Sequence, residues 1–345
     1  MLQKRYALIL LLFISPLHVA VLGQTQDSSY IKPKRATYIR SFEDKFYIKP
    51  LLTARSLSLT FEEENNRFRD IEYTPSINTY LGFGFYLFDV GFELSFQVPN
   101  DSQDELTYGR TKAFDVQANI YLNKWGADVA VQNYSGFYFE DPESHFSQWQ
   151  SGDPFPQRSD LEMRNLQFNT FYIFNHEKFS YRSAFNQADM QLKKAGSFLL
   201  GISASSFRFS ADSSLMPFES RSMLEENATL RAGRATVLGL LPGYTHNFIH
   251  EQLYLNLSLS LGPAHLWTRY TTENLEQDDI AIRAIFNVRA AAGYNSDTFF
   301  GGISLVSQSV NYAIDNLNVI GSSGNIKFFI GYRFLEKGIL TKSIL

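Results

Sequence analysis

The chain contains no cysteine. That excludes disulfides, thiolate metal sites and a lipid-modified N-terminal cysteine. It also lacks an apolar run of the roughly 20 residues needed to cross about 30 Å of hydrocarbon as a helix. The one apolar stretch of note, residues 7–14, is too short, and Pro16 and His18 break the pattern just beyond it. Preceded by Lys4 and Arg5 and followed by the small Val21 and Gly23, it has the layout of a secretory signal peptide cut before Gln24. Positive charge is scarce as well. Without Lys4 and Arg5, 29 basic residues face 35 acidic ones, a net charge of −6. That is too acidic for a general nucleic-acid binder.

Aromatic residues are abundant: 31 Phe and 19 Tyr put the aromatic share at 15%. Membrane barrels need aromatic girdles at both interfaces. Their average hydropathy resembles that of soluble proteins, because an apolar outer face and a polar lumen cancel.

Residues 112–132 show the pattern that returns along the chain. Phe114, Val116, Ala118, Ile120 and Leu122 point one way; Asp115, Gln117, Asn119 and Tyr121 point the other. Asn123 and Lys124 turn the chain. Trp125, Ala127, Val129 and Val131 then resume the apolar face against Gly126, Asp128, Ala130 and Gln132. Period-two alternation with a two-residue link is an antiparallel hairpin. Leu253, Leu255, Leu257, Leu259 and Leu261 repeat it, as do Ile280, Ile282, Ala284, Phe286 and Val288. Short connections near 86–88, 123–124, 175–177, 246–251 and 294–297 take turns with longer ones near 62–70, 99–109, 140–158, 211–227 and 269–279. Outer-membrane barrels have that asymmetry, with short periplasmic turns and longer external loops.

The pattern predicts an all-β fold, an antiparallel transmembrane β-barrel. Splitting 196–209 into two strands, and taking 179–185 as a strand, makes fourteen; twelve is the alternative. The predicted division is a signal peptide at 1–23, a periplasmic lead-in at 24–44, the barrel at 45–334 and a tail at 335–345. The expected location is the bacterial outer membrane.

Two stretches carry a family resemblance. One is Tyr134, Gly136, Phe137, Tyr138, Phe139, Glu140, Asp141 and Pro142. The other holds Phe179, Tyr181, Arg182, Phe185, Asn186, Gln187 and Gln191, then Lys193 through Gly201. They resemble a family of outer-membrane barrels from Bacteroidota known as a domain of unknown function. The resemblance extends over 38–334 and implies a barrel and its location, but no activity, substrate or catalytic residue. Lys194 stands where the family pattern leads one to expect Ser.

Facing assigns Glu93, Asp115, Asp128, Arg182, Arg208, Arg283 and Arg289 to the lumen, since Arg or Lys against lipid costs about 2–4 kcal/mol at the midplane. Mixed signs favour a lumen held closed by ion pairs over a polar solute path. Tyr138, Glu140, Asn186, Gln187, Gln191 and Lys193 are expected together at the external rim, as a brace or as a site for a sugar or lipid head group. The five His of the mature chain are scattered, with no ligand-spaced cluster, so neither metal nor cofactor is expected. His145 falls in a long polar loop expected to be mobile, and His265 near an outer strand end. No Gly-x-Ser-x-Gly elbow occurs. The expected role is a narrow or closed barrel in envelope transport or scaffolding. The alternative is an outer-membrane lipid hydrolase or acyltransferase. Expected partners are outer-membrane lipids, with a small polar solute or glycan possible, and no nucleic acid.

Overall fold

The computed structural model describes residues 35–42, 45–63, 69–76, 78–87, 90–224, 228–273, 275–314 and 317–335. The expected signal peptide, most of the expected lead-in and all of the expected tail but Leu335 therefore lie outside the described residues. Fifteen strands follow in order: β1 Ile39–Ser41, β2 Lys45–Glu63, β3 Ile71–Thr74, β4 Asn78–Leu87, β5 Val90–Gln97, β6 Lys112–Tyr121, β7 Trp125–Phe139, β8 Gln157–Ile173, β9 Asp189–Gln191, β10 Ala195–Ser210, β11 Ala232–His250, β12 Leu253–Thr271, β13 Glu276–Asn295, β14 Phe299–Ile314 and β15 Leu317–Leu335. Among the described residues, two short α-helices, α1 Ser102–Tyr108 and α2 Arg182–Phe185, lie between the strands.

Ten strands close a ring in the order β2, β15, β14, β13, β12, β11, β10, β8, β7 and β3, all antiparallel. β4 and β5 branch from the first half of β2, and β6 pairs with residues 126–135 of β7. The wall changes partner along β7. Residues 126–135 pair with β6, and Tyr138 and Phe139 pair with β3. A bulge separates the two at Gly136, whose φ of +83° suits glycine.

The predicted barrel is therefore present, with ten closed strands and three more beside them. Two elements of the strand count differ. The stretch 196–209 runs through a single strand, β10, with no turn at its serines. Residues 179–185 are not a strand; they enter the mouth of the barrel and hold α2.

Side-chain alternation follows the prediction through the middle of the wall. Leu253, Leu255, Leu257, Leu259 and Leu261 are exposed on the outside, while Asn256 and Ser258 are buried inside. Toward the end with the long connections, the two faces exchange character. On β8 the outward residues pass from Phe168 and Leu166 to Arg164 and Glu162, and the inward ones from Asn169 and Asn165 to Met163 and Leu161. β10 does the same, from outward Ile202 to Arg208 and from inward Ser203 to Phe209. The outer apolar band thus gives way to a polar head enclosing an apolar core, in which Leu57, Leu59, Phe61, Phe209 and Tyr312 pack together.

Candidate functional site: a lumen filled at both ends

Between the head core and the short-turn end lies a polar chamber. Its charges come from alternate positions of strands whose other positions form the apolar band. Glu93 accepts from Lys49 Nζ at 2.8 Å and from Lys327 Nζ. Arg55 reaches Asp115 at 3.3 Å and Ser95 Oγ at 2.7 Å. Asp115 also accepts from Tyr134 at 2.7 Å and Gln132 at 2.9 Å. Arg289 holds Asp128 at 2.6 Å, and Tyr121 donates to the same carboxylate at 2.6 Å. Gln308 accepts from Asn169 and Asn287, each at 3.0 Å, tying β8, β13 and β14 across the lumen. The cavity left among these groups is about 80 Å³, room for a few waters and no more.

Below the chamber, residues 179–191 fold into the mouth. Phe179, Tyr181, Ala184 and Phe185 pack with Tyr121 and Phe171 into an aromatic layer. The aromatic rings of Tyr181 and Phe185 stack with centroids 4.7 Å apart. Asp189, fully buried, accepts from Ser180 Oγ at 2.6 Å, Ser41 Oγ at 2.9 Å and Arg35 at 3.1 Å, with Arg182 at 3.8 Å. Strand β1 pairs with β9 here, so the lead-in and the plug form one small sheet. Arg333 donates to Gln187 O at 2.6 Å and Asn295 Oδ1 at 2.8 Å while lying over the ring of Phe300 at 4.3 Å.

Of the charges expected in the lumen, Glu93, Asp115, Asp128 and Arg289 are there. Arg182 sits instead in the plug, bound to Tyr86 Oη. Arg208 is on the outside of the head, because the faces exchange character before that point of β10. Arg283 is exposed on the stretch of β13 that β14 does not pair, since their ladder begins only at Phe286. The six residues expected at one rim separate to opposite ends. Tyr138 and Glu140 lie at the long-connection end, where Tyr138 packs on Tyr108 and Phe155 and Glu140 N donates to Glu72 O. Asn186, Gln187 and Gln191 belong to the plug at the other end, and Lys193 follows it directly. There Gln191 donates to Lys178 O and Lys193 O, and Lys193 lies over the Tyr38 ring. Lys49, Arg55, Asp189, Lys327 and Arg333 were not expected. Lys49 and Lys327 could have been found, because Ile48, Leu52, Ile326 and Phe328 put the apolar stripe on the opposite parity.

His145 is buried, contrary to the expected mobile loop. Its ring stands at 5.1 Å from Phe139, with Nε2 at 3.2 Å from Asp70 O and Nδ1 at 3.4 Å from Ser220 Oγ. Both side chains of that Ser–His contact are buried. His265 stacks on Trp267 on the outer wall at 4.2 Å. Among the described residues no acidic and His side chains cluster as a metal site.

Burial pushes the His145 imidazole below its ordinary value of 6.5. The folded head keeps it neutral, whereas the unfolded chain takes up a proton as pH falls through that ordinary value. Stability is complete above it and is lost progressively below. Thermal unfolding of the native chain is expected to weaken more steeply between about pH 7 and 5 than that of His145→Phe. Parallel pH slopes would remove His145 from this role.

The chain belongs to the family described as "Domain of unknown function (DUF4421)", whose model matches residues 25–334. No curated protein matches it. Among solved structures, the outer-membrane protease OmpT of Escherichia coli aligns over 86% of this chain and 98% of its own, at 7% identity and a TM-score of 0.39. The attachment invasion locus protein Ail of Yersinia pestis, solved with the heparin analogue sucrose octasulfate, covers 84% and 99% at 10% identity and a TM-score of 0.23. The Pseudomonas putida toluene transporter TodX covers 85% and 90% at 8% identity and a TM-score of 0.17.

Proposed function

We propose that the protein is an integral barrel of the bacterial outer membrane, from the Bacteroidota envelope that the resemblance implies, with its lumen shut. Its role on this proposal is an envelope scaffold rather than an open pore. The observation that carries it is the filling of the lumen at both levels: the aromatic plug at 179–191 below and the apolar head core above. The charges between them are mixed in sign and engaged in ion pairs, Glu93 with both Lys49 and Lys327, Arg55 with Asp115 and Arg289 with Asp128, which supports a filled lumen over a single-sign solute path. The membrane itself is supported by the outer band. Leucines exposed in a continuous stripe on β12, flanked by Ile202, Leu238 and Leu240 on neighbouring strands, form an apolar surface that water would not tolerate at this extent. The polar head then stands beyond the bilayer, and the short turns and plug lie in the periplasm.

Envelope transport would require the plug to leave the mouth, breaking the contacts of Asp189 and Arg333. Lipid hydrolysis finds no support in the histidines, since His145 is buried and His265 only stacks on Trp267. The membrane assignment is tested by fractionation and gel mobility. The mature chain is expected to leave the outer-membrane fraction only with detergent, and to change gel mobility on boiling. A mature chain that is soluble without detergent would overturn it.

A further inference from the structure

The exchange of face character along the strands leaves a row of arginines at the border of the apolar band. Arg164 on β8 lies directly opposite Arg208 on β10. Arg208 lies opposite Arg234 on β11, and Arg234 opposite Arg269 on β12. All four side chains are exposed on the outer wall. Four neighbouring strands spaced about 4.8 Å apart set these cations along roughly 14 Å. Like charges directly opposite each other destabilise a sheet, so the row stands at an energetic cost unless an anion joins it.

The two ends of the row already have partners. Arg164 meets Glu162 at 3.1 Å, and Arg269 meets Asp278 at 2.5 Å and Glu276 at 3.2 Å. The two middle residues differ. Among the described residues, Arg208 and Arg234 have no acidic side chain within ion-pair distance. Hydroxyl residues flank them on the same face, Ser206 and Ser210 beside Arg208 and Thr236 beside Arg234, while Glu162, diagonal to Arg208, is engaged by Arg164. A small hollow of about 70 Å³ opens between Glu162, Arg164, Arg208 and Ser210.

The neighbours of the row identify the anion. One step along the same outer face come Leu166 on β8 and Trp267 on β12, both exposed; Leu238 and Leu240 lie further along on β11. Trp at this position is the residue that settles at a membrane–water interface. Guanidinium forks match phosphate bidentately, and serine and threonine hydroxyls add donors. We propose that Arg208 and Arg234, framed by Arg164 and Arg269, bind the phosphates of an anionic lipid of the surrounding leaflet, whose acyl chains lie on the apolar band beneath. The inference rests on the membrane assignment proposed above. It extends that assignment by giving the barrel a lipid class to which it is fastened.

The test uses the full mature chain folded in neutral-detergent micelles, with the boiling-dependent gel shift as the sign of a folded barrel. Diphosphoryl lipid A is titrated against the native chain and against Arg208→Gln with Arg234→Gln, and binding is read by native mass spectrometry. Each arginine near an anionic surface contributes about a factor of five, so the double variant is expected to bind roughly 25-fold more weakly. Lipid A stripped of both phosphates is expected to bind the two proteins equally. Arg110→Gln, an exposed arginine beyond α1, is expected to bind like the native chain. If the glutamine pair gives no shifted band, Arg208→Lys with Arg234→Lys keeps the charges but loses the forks, and is expected to bind several-fold more weakly. Equal binding of diphosphoryl lipid A by native and folded variant chains overturns the proposal. So does an equal loss in Arg110→Gln, or full competition by inorganic phosphate at equal phosphate concentration, which would mark a site for free anions. A chain that never needs detergent fails the membrane assignment instead, and is recognised before any lipid is added.

Discussion

Asp189→Asn is expected to release the plug. The carboxylate is fully buried and gathers Arg35, Arg182, Ser41 and Ser180 around it, from the lead-in, the plug helix and β1. An amide of the same shape keeps the volume but removes the charge. Arg35 and Arg182 then lose the carboxylate they share, and removing one partner of a buried ion pair costs about 3–5 kcal/mol. The loss falls on the plug rather than on the wall, because β13 holds Asp189 through its backbone, Asn295 Nδ2 to Asp189 O at 3.0 Å, and the substitution keeps that contact. Urea unfolding in micelles should therefore show an early transition that the native chain lacks, while the gel shift of the folded barrel persists. A single transition at the native midpoint would mean that Asp189 does not hold the plug.

Leu257→Arg is expected to cost about 2–4 kcal/mol, the value for a cation against lipid near the midplane. Leu257 is exposed in the middle of the leucine stripe on β12. The same strand supplies its own control. Arg269 stands on the same outer face, beyond Trp267, and pairs there with Asp278. A cation is thus tolerated on this face past the border and not within it. Thr271→Arg, one step beyond Arg269, is expected to change stability by less than about 0.5 kcal/mol. Unfolding in lipid vesicles distinguishes the two. Equal effects at 257 and 271 would mean that the border is misplaced or that no hydrocarbon covers the stripe.

Much of the barrel is legible in the sequence because alternation reports a two-sided wall directly. The stripe from Leu253 to Leu261 points outward as its pattern predicts, and the ladder to β13 keeps it in register. Alternation alone does not say which parity faces in. That depends on whether lipid or water surrounds the strand at that height. Arg208 shows the consequence. The lipid rule would turn an arginine inward, but its part of β10 has passed the band, so the arginine faces water and Phe207 and Phe209 fill the inside.

The plug hides its nature for another reason. Phe179, Tyr181, Ser183 and Phe185 alternate as a strand would, yet every one of these side chains is buried. A segment enclosed on all sides has no polar face to preserve, so its spacing carries no information on backbone form. The pairs within the lumen are partly visible, since Asp115, Asp128 and Arg289 stand opposite apolar stripes. Their partners come from distant strands, as with Arg289 and Asp128, and no local pattern announces such a pairing.

Steady conductance across a planar bilayer tests the closed lumen most directly. With the native mature chain inserted, current at either polarity is expected to stay at the level of the bare bilayer, since the plug and the head core leave a chamber of only about 80 Å³ between them. A stable ohmic conductance from the native chain, present without denaturant and without loosening of the plug, would contradict a shut barrel.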